Sequence, residues 1–214
     1  MYRVCFIDDD SQFEIPLFHD VFADVFDIVS ATSYAEIKSQ ISNRESWQPN
    51  LFVLDLYFPS GLPDQDAIEA LKTEPLTIEN DNGEIRPASR NYLKAGNHLQ
   101  RVLDAHKQGP TGGLELAKKV AVDYPDVPIV FYSRKATIED VIRCLAAENV
   151  WAVERKPTGR NEAETIELTK SAKDRLVRRF ERAILKADAD TIKRKKAAAK
   201  IMIEVLVEFD KQAK

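Results

Sequence analysis

Residues 51–59 read Leu51-Phe52-Val53-Leu54-Asp55-Leu56-Tyr57-Phe58-Pro59, and the first five of them decide the fold class. Four consecutive apolar residues closed by a carboxylate read as a strand buried on both faces that ends at a polar rim. Working back toward the N-terminus, Arg3 to Ile7 is a second β-favouring run, ended by Asp8-Asp9-Asp10. Between the two, Ser11 to Phe26 has helical period, with Phe18, Val21, Phe22 and Val25 as its apolar stripe. Pro16 predicts that this helix starts late or kinks. Asp27 to Ala31 reads as a strand and Ser33 to Ile41 as a helix, with Ser33 as cap and Glu36 three residues on.

The same rhythm returns after residue 110. Leu114 to Val122 is helical, Pro128 to Tyr132 is an apolar strand, Ile138 to Glu148 is helical, and Val150 to Val153 is a short strand before Lys156-Pro157. Five apolar strands alternating with helices predict an α/β fold, a five-stranded doubly wound parallel sheet.

Residues 60–111 interrupt the alternation after the third strand. Helical pattern over Asp66–Lys72 and Asn91–His106, with a polar turn at Asn80-Asp81-Asn82-Gly83 between, predicts a helical insertion. Gly109-Pro110-Thr111-Gly112-Gly113 lacks the lysine and hydroxyl of a phosphate-cradling loop and reads as the exit turn of that insertion. From residue 160 on, helices are expected over Glu162–Lys186 and Thr191–Lys211, with Asp190 as the second cap. Apolar residues recur at helical spacing in both, at Leu176, Val177, Phe180 and Ile184, then Ala198, Ile201, Met202, Val205, Leu206 and Phe209. The expected organisation is a body over 1–159, carrying the insertion, and a helical extension over 160–214.

The whole chain has 214 residues and a net charge of −4, divided unevenly. Residues 160–214 carry 15 basic and 10 acidic side chains, the preceding 159 carry 16 and 25. This is not the balance of a general nucleic-acid coat, and the run Lys193-Arg194-Lys195-Lys196 is read as a solvated helix face or a surface for an acidic partner. Cys5 and Cys144 lie in apolar surroundings without CxxC spacing and read as buried, reduced thiols. No apolar run reaches the ~20 residues of a membrane helix, and the N-terminus does not read as a signal peptide, so a cytoplasmic protein is expected.

The strand ends carry the chemistry. The first strand delivers Asp8 and Asp9, the third Asp55, the fourth Ser133 and the fifth Lys156, and ligands of such sheets sit outside the carboxyl ends of the strands. Crowded carboxylates repel unless a cation neutralises them, and an oxygen-only set suits Mg²⁺. A lysine and a hydroxyl at the same rim suit an anionic group such as phosphoryl.

Here the sequence resembles the receiver domain of bacterial two-component response regulators. The matching pieces are Asp8-Asp9, Asp55 after Leu51–Leu54, Pro59 four residues further, Gly113-Leu114-Glu115-Leu116, Ser133 after Pro128–Tyr132, and Lys156-Pro157. They span residues 1–59 and 111–159. The resemblance implies a flavodoxin-like receiver fold and a phosphorylation switch. Asp55 would be the phosphoacceptor, and Asp8, Asp9, Asp55 and the carbonyl of Tyr57 would hold Mg²⁺. Lys156 would offset charge on the transferring group, Ser133 would donate to the new phosphoryl, and the Lys156–Pro157 peptide would be cis.

The resemblance also implies a histidine kinase or phosphotransfer protein as donor, with self-phosphorylation and autodephosphorylation as the only reactions. Output would run through protein–protein contacts, and a homodimer through the C-terminal helices is compatible with their apolar stripes. The sequence departs from the family at Val153, where members often carry an aromatic, which shifts that role toward Trp151. Tyr57 and Lys135, each two residues past a key side chain, are placed to limit attacking water. One alternative is a pseudo-receiver that is not phosphorylated, the insertion or C-terminal helices recognising a partner. An aspartate-nucleophile phosphatase is the other, and Tyr57 stands where that class carries a second aspartate.

Overall fold

The computed structural model describes residues 1–59, 64–73, 77, 85–147 and 149–212. Five parallel strands, β1 (Tyr2–Ile7), β2 (Phe26–Ala31), β3 (Leu51–Leu54), β6 (Ile129–Ser133) and β7 (Val150–Arg155), form one sheet in the order β2-β1-β3-β6-β7. This is the flavodoxin-like order, and its direction of winding reverses between β1 and β3.

The apolar runs work as expected because alternate side chains leave a strand on opposite faces. Cys5 and Ile7, Phe52 and Leu54, and Ile129 and Phe131 join one buried cluster. Val4 and Phe6, Leu51 and Val53, and Val130 and Tyr132 join the other. The first cluster is covered by α2 (Tyr34–Ser42), α5 (Pro110–Asp123) and α6 (Ile138–Leu145), through Ile37, Ile41, Ala117, Val120 and Cys144. The second is covered by α1 (Glu14–Phe22) and α8 (Lys173–Lys186), where Phe18, Phe22 and Phe180 pack in tilted and edge-on pairs. Phe180 is fully buried, a burial that contributes about 2–3 kcal/mol.

The C-terminal helical extension is present, and its first part is integral to the body: α8 lies directly on the sheet. The single helix expected over Glu162–Lys186 is two, α7 (Glu162–Ser171) and α8, meeting at Ala172. Thr165, Thr169 and Ser171 donate their hydroxyls to the carbonyls of Asn161, Thr165 and Leu168, local bonds that bend a helix. The last helix, α9 (Ala189–Gln212), is capped by Asp188 rather than Asp190, since Asp188 accepts from the amide and hydroxyl of Thr191. It packs on α6, and Lys195 seals the contact, donating to the Trp151 carbonyl at 2.8 Å with its ammonium 3.5 Å from the ring centroid. The side chains of Leu206 and Phe209 lie outside the description, whereas Ile201, Met202 and Val205 are exposed.

Both expected helices of the insertion exist, as α3 (Gln65–Thr73) and α4 (Ile85–Ala105), and its polar turn at Asn80–Gly83 lies outside the described residues. A two-stranded ladder, β4 (Phe58–Pro59) against β5 (Gln108–Gly109), joins the two ends of the insertion beside Asp55. The supposed exit turn is instead the first turn of α5. Gly109 is its cap, Pro110 its first residue, and a Cβ on Gly113 would sit 2.5 Å from the Leu56 carbonyl oxygen. Cys5 and Cys144 are free and buried, and burial pushes the Cys144 thiol up to about 12. Among the described residues no helix is long and apolar enough to cross a membrane.

Candidate functional site

Sheet register decides where the functional side chains meet. Ile7 is level with Leu54, and Leu54 with Phe131, so Asp8, Asp55 and Ser133 emerge at one rim. Lys156 reaches the same rim because Ser133 pairs with Arg155 and the Lys156 amide donates to the Ser133 carbonyl at 3.1 Å. Asp8, Asp9, Asp55, Tyr57, Ser133 and Lys156, the six residues singled out in the sequence, all line one cleft of about 540 Å³.

The Lys156 ammonium is its electrostatic hub. It lies 2.5 Å from Asp8 Oδ2, 3.2 Å from Asp55 Oδ1 and 3.5 Å from Glu14 Oε2, and the four residues are each less than a tenth exposed. Burial alone would lower the lysine pKa, but the Asp55, Asp8 and Glu14 carboxylates outweigh it and hold Lys156 above the ordinary lysine range. Burial pushes the Asp8 carboxyl up to about 6 against the pull of Lys156, with the Asp55 charge adding to the rise. Asp9 is raised in the same way, by burial and then by Asp55.

The remaining lone pairs are mostly engaged. Asp8 Oδ1 accepts from the Asp10 amide, and Asp55 Oδ2 from the Tyr57 amide at 2.9 Å. Two buried polar atoms of the cleft, Ser133 Oγ and Arg134 Nε, have no hydrogen-bond partner among the described residues, and of these only the Ser133 hydroxyl belongs to the expected set. Such a hydroxyl costs about 1–3 kcal/mol until an acceptor reaches it. An anionic oxygen arriving beside Asp55 would be that acceptor.

Glu14, Arg134 and Gln108 are among the cleft residues that were not singled out in the sequence. Glu14 sits in the first turn of α1 and forms an ion pair with Arg134, whose guanidinium lies 5.4 Å from the Phe13 ring centroid. Gln108 arrives from the far end of the insertion, donating to Asp9 Oδ2 at 3.3 Å and accepting from Lys135. The late helix start forced by Pro16 is the one sequence signal that places Glu14 at this rim. Nothing local marks Gln108.

The Tyr57 ring lies 5.9 Å from the Lys135 ammonium, and its hydroxyl donates to Asp140 Oδ2 at 2.6 Å. Burial and this bond raise its pKa above the ordinary phenol range. The Lys156–Pro157 peptide is trans, which corrects the cis bond implied by the resemblance, and trans is the ordinary preference of an X–Pro bond.

Asp8, Asp9, Asp55 and the Tyr57 backbone offer only oxygen donors, a chemistry that would suit a hard divalent cation. Among the described residues no group of three or more His, Cys, Asp or Glu side chains is arranged to hold an ion. The Lys156 ammonium supplies the neutralising charge between Asp8 and Asp55.

No protein-family model matches the chain, and no curated protein matches it. Among solved structures it is similar to a CheY-like response regulator receiver domain protein from Methanospirillum hungatei JF-1, at 16% identity over 84% of this chain and 98% of that one, with a TM-score of 0.41. It is also similar to a response regulator from Thermotoga maritima, at 13% identity over 86% of this chain and 98% of that one, TM-score 0.47. A third is the non-phosphorylated HemR receiver domain from Leptospira biflexa, at 16% identity over 86% of this chain and 95% of that one, TM-score 0.44. The fold assignment rests on the strand order and register described above.

Proposed function

We propose that the chain is a receiver-type phosphorylation switch in which Asp55 accepts a phosphoryl group from a histidine kinase or phosphotransfer protein. The observation that carries this reading is the position of Asp55, in one cleft with a buried lysine and a buried serine hydroxyl that lacks a partner. An Asp55 oxygen forms the new P–O bond as the P–N bond of a phosphohistidine breaks, and the departing imidazole keeps the electron pair and takes up a proton. Lys156 offsets charge on the transferring oxygens, and Ser133 donates to one of them. Asp8, Asp9, Asp55 and the Tyr57 carbonyl would hold Mg²⁺, which supplies further positive charge to the phosphoryl oxygens when bound.

Output runs by protein–protein contact in the cytoplasm, and the exposed Ile201, Met202 and Val205 on α9 support a partner or a second copy there. The body over 1–159 with the insertion 60–111 carries the chemistry, and the extension over 160–214 carries the contact.

A specific observation favours a second reading, the pseudo-receiver. Lys156 already neutralises Asp8 and Asp55, and no ion cage is preformed among the described residues. Intact mass after incubation with Mg²⁺ and acetyl phosphate separates the two. The switch gains one phosphoryl and Asp55→Asn gains none; a parent chain that gains none from acetyl phosphate or from a phosphohistidine donor is a pseudo-receiver.

A further inference from the structure

Among the described residues the insertion has one side chain in the cleft, and its chemistry matches both of its neighbours. Gln108 stands on β5, next to Pro59 of β4 across the ladder that closes the insertion. Its Nε2 donates to Asp9 Oδ2 at 3.3 Å, and its Oε1 accepts from the Lys135 ammonium. A carboxamide, with a donor at one end and an acceptor at the other, can span a carboxylate and an ammonium. A glutamate at 108 would suit Lys135 and repel Asp9. All three residues are half-buried, so these contacts are only partly screened.

The bridge runs from the loop after β1 to the loop after β6, two residues past Ser133. Lys135 feels the Asp55 and Asp9 charges, which oppose the lowering of its pKa by burial. Among the described residues no other side chain of the insertion lines the cleft, so without Gln108 the Lys135 ammonium is drawn toward these carboxylates.

We infer that Gln108 is a positioning residue through which the insertion controls the phosphoacceptor cleft: it holds Lys135 apart from Asp9 and so keeps Asp9 available to a cation. The inference rests on the proposed function for the identity of that cation, Mg²⁺. The clamp itself does not depend on it.

The test is a two-by-two cycle on the full chain, with Mg²⁺ alone as titrant, measured by calorimetry. Gln108→Ala weakens Mg²⁺ binding about threefold, the scale of one partly exposed ion pair formed in competition, because Lys135 then collapses onto Asp9. Lys135→Ala tightens binding, and Gln108→Ala has no further effect in that background. Equal losses in both backgrounds, or no loss in either, would overturn the inference, because a merely structural role for Gln108 would not depend on Lys135.

Hydrogen exchange in Mg²⁺-free protein gives a second readout. Gln108→Ala speeds exchange at residues 134–136 and at Asp9–Asp10, whereas Gln108→Glu, which retains the Lys135 contact, speeds it at Asp9–Asp10 alone. If the parent binds no Mg²⁺ and takes no phosphoryl, the proposed function fails and exchange decides the clamp: unchanged rates at 134–136 in Gln108→Ala overturn it, and faster rates sustain it.

Discussion

The phenol of Tyr57 donates to Asp140 Oδ2 at 2.6 Å, so the loop that follows Asp55 is tied to the first turn of α6. The same carboxylate oxygen accepts from the amide and hydroxyl of Thr137, the cap of that helix. The Tyr57 amide meanwhile donates to Asp55. One residue therefore touches Asp55 and the helix on which α9 packs.

Tyr57→Phe removes that bond and leaves the rest of the capping box in place. The expected cost is about 1–3 kcal/mol, the value of a buried hydrogen bond to a charged group. Urea unfolding of parent and variant measures it. Labelling of Asp55 should persist, since the Tyr57 hydroxyl bonds Asp140 and it is the Tyr57 amide that donates to Asp55.

The raised Asp8 pKa has a definite pH signature. An acid whose folded pKa, about 6, exceeds its ordinary value of 3.8 binds its proton more tightly in the folded state. Its contribution to stability is therefore lost as pH rises from about 4 to about 6, and is level above that. Below pH 6 the same proton competes with a cation, so Mg²⁺ affinity falls as the solution is acidified. Calorimetric Mg²⁺ titrations at stepped pH, and unfolding over the same range, check both trends. Asp8→Asn should flatten the stability slope in that window.

Gly113→Ala places a Cβ 2.5 Å from the Leu56 carbonyl oxygen and 2.7 Å from its Cα. Both contacts are backbone, so α5 must move away from the loop that follows Asp55. Overpacking of this kind costs about 1–3 kcal/mol, and thermal unfolding should register a clear drop in Tm.

These glycines bear on what the sequence disclosed. The sheet was legible because strands buried on both faces are written as unbroken apolar runs, as at Leu51–Leu54 and Ile129–Tyr132. Asp8, Asp9, Asp55, Ser133 and Lys156 were legible because the strand ends of a parallel sheet share one edge, whereas Tyr57 followed only from the family resemblance. Gly112 and Gly113 were misread as a turn, since a glycine kept for close approach looks the same in sequence as one kept for a bend. The break at Ala172 was hidden because it comes from hydroxyls bonding back to carbonyls, with no proline or glycine to mark it. Gln108 and Arg134 depend on which loops the fold brings together. No local pattern encodes that.

Lys195→Met keeps the aliphatic stem and removes both the cation over Trp151 and the donation to its carbonyl. The loss should be about 1 kcal/mol or slightly more. Exchange should rise along α9 and leave β1, β3 and β6 unchanged, and Trp151 fluorescence should shift toward that of a more exposed indole.

The central claim is that Asp55 becomes an acyl phosphate. The most direct measurement is borohydride reduction of the full chain after treatment with Mg²⁺ and acetyl phosphate, followed by peptide mapping. An acyl phosphate at residue 55 is reduced to homoserine, so homoserine is expected at position 55 and unmodified aspartate at 8 and 9. Aspartate recovered intact at 55, or homoserine found at 8 or 9 instead, would contradict it.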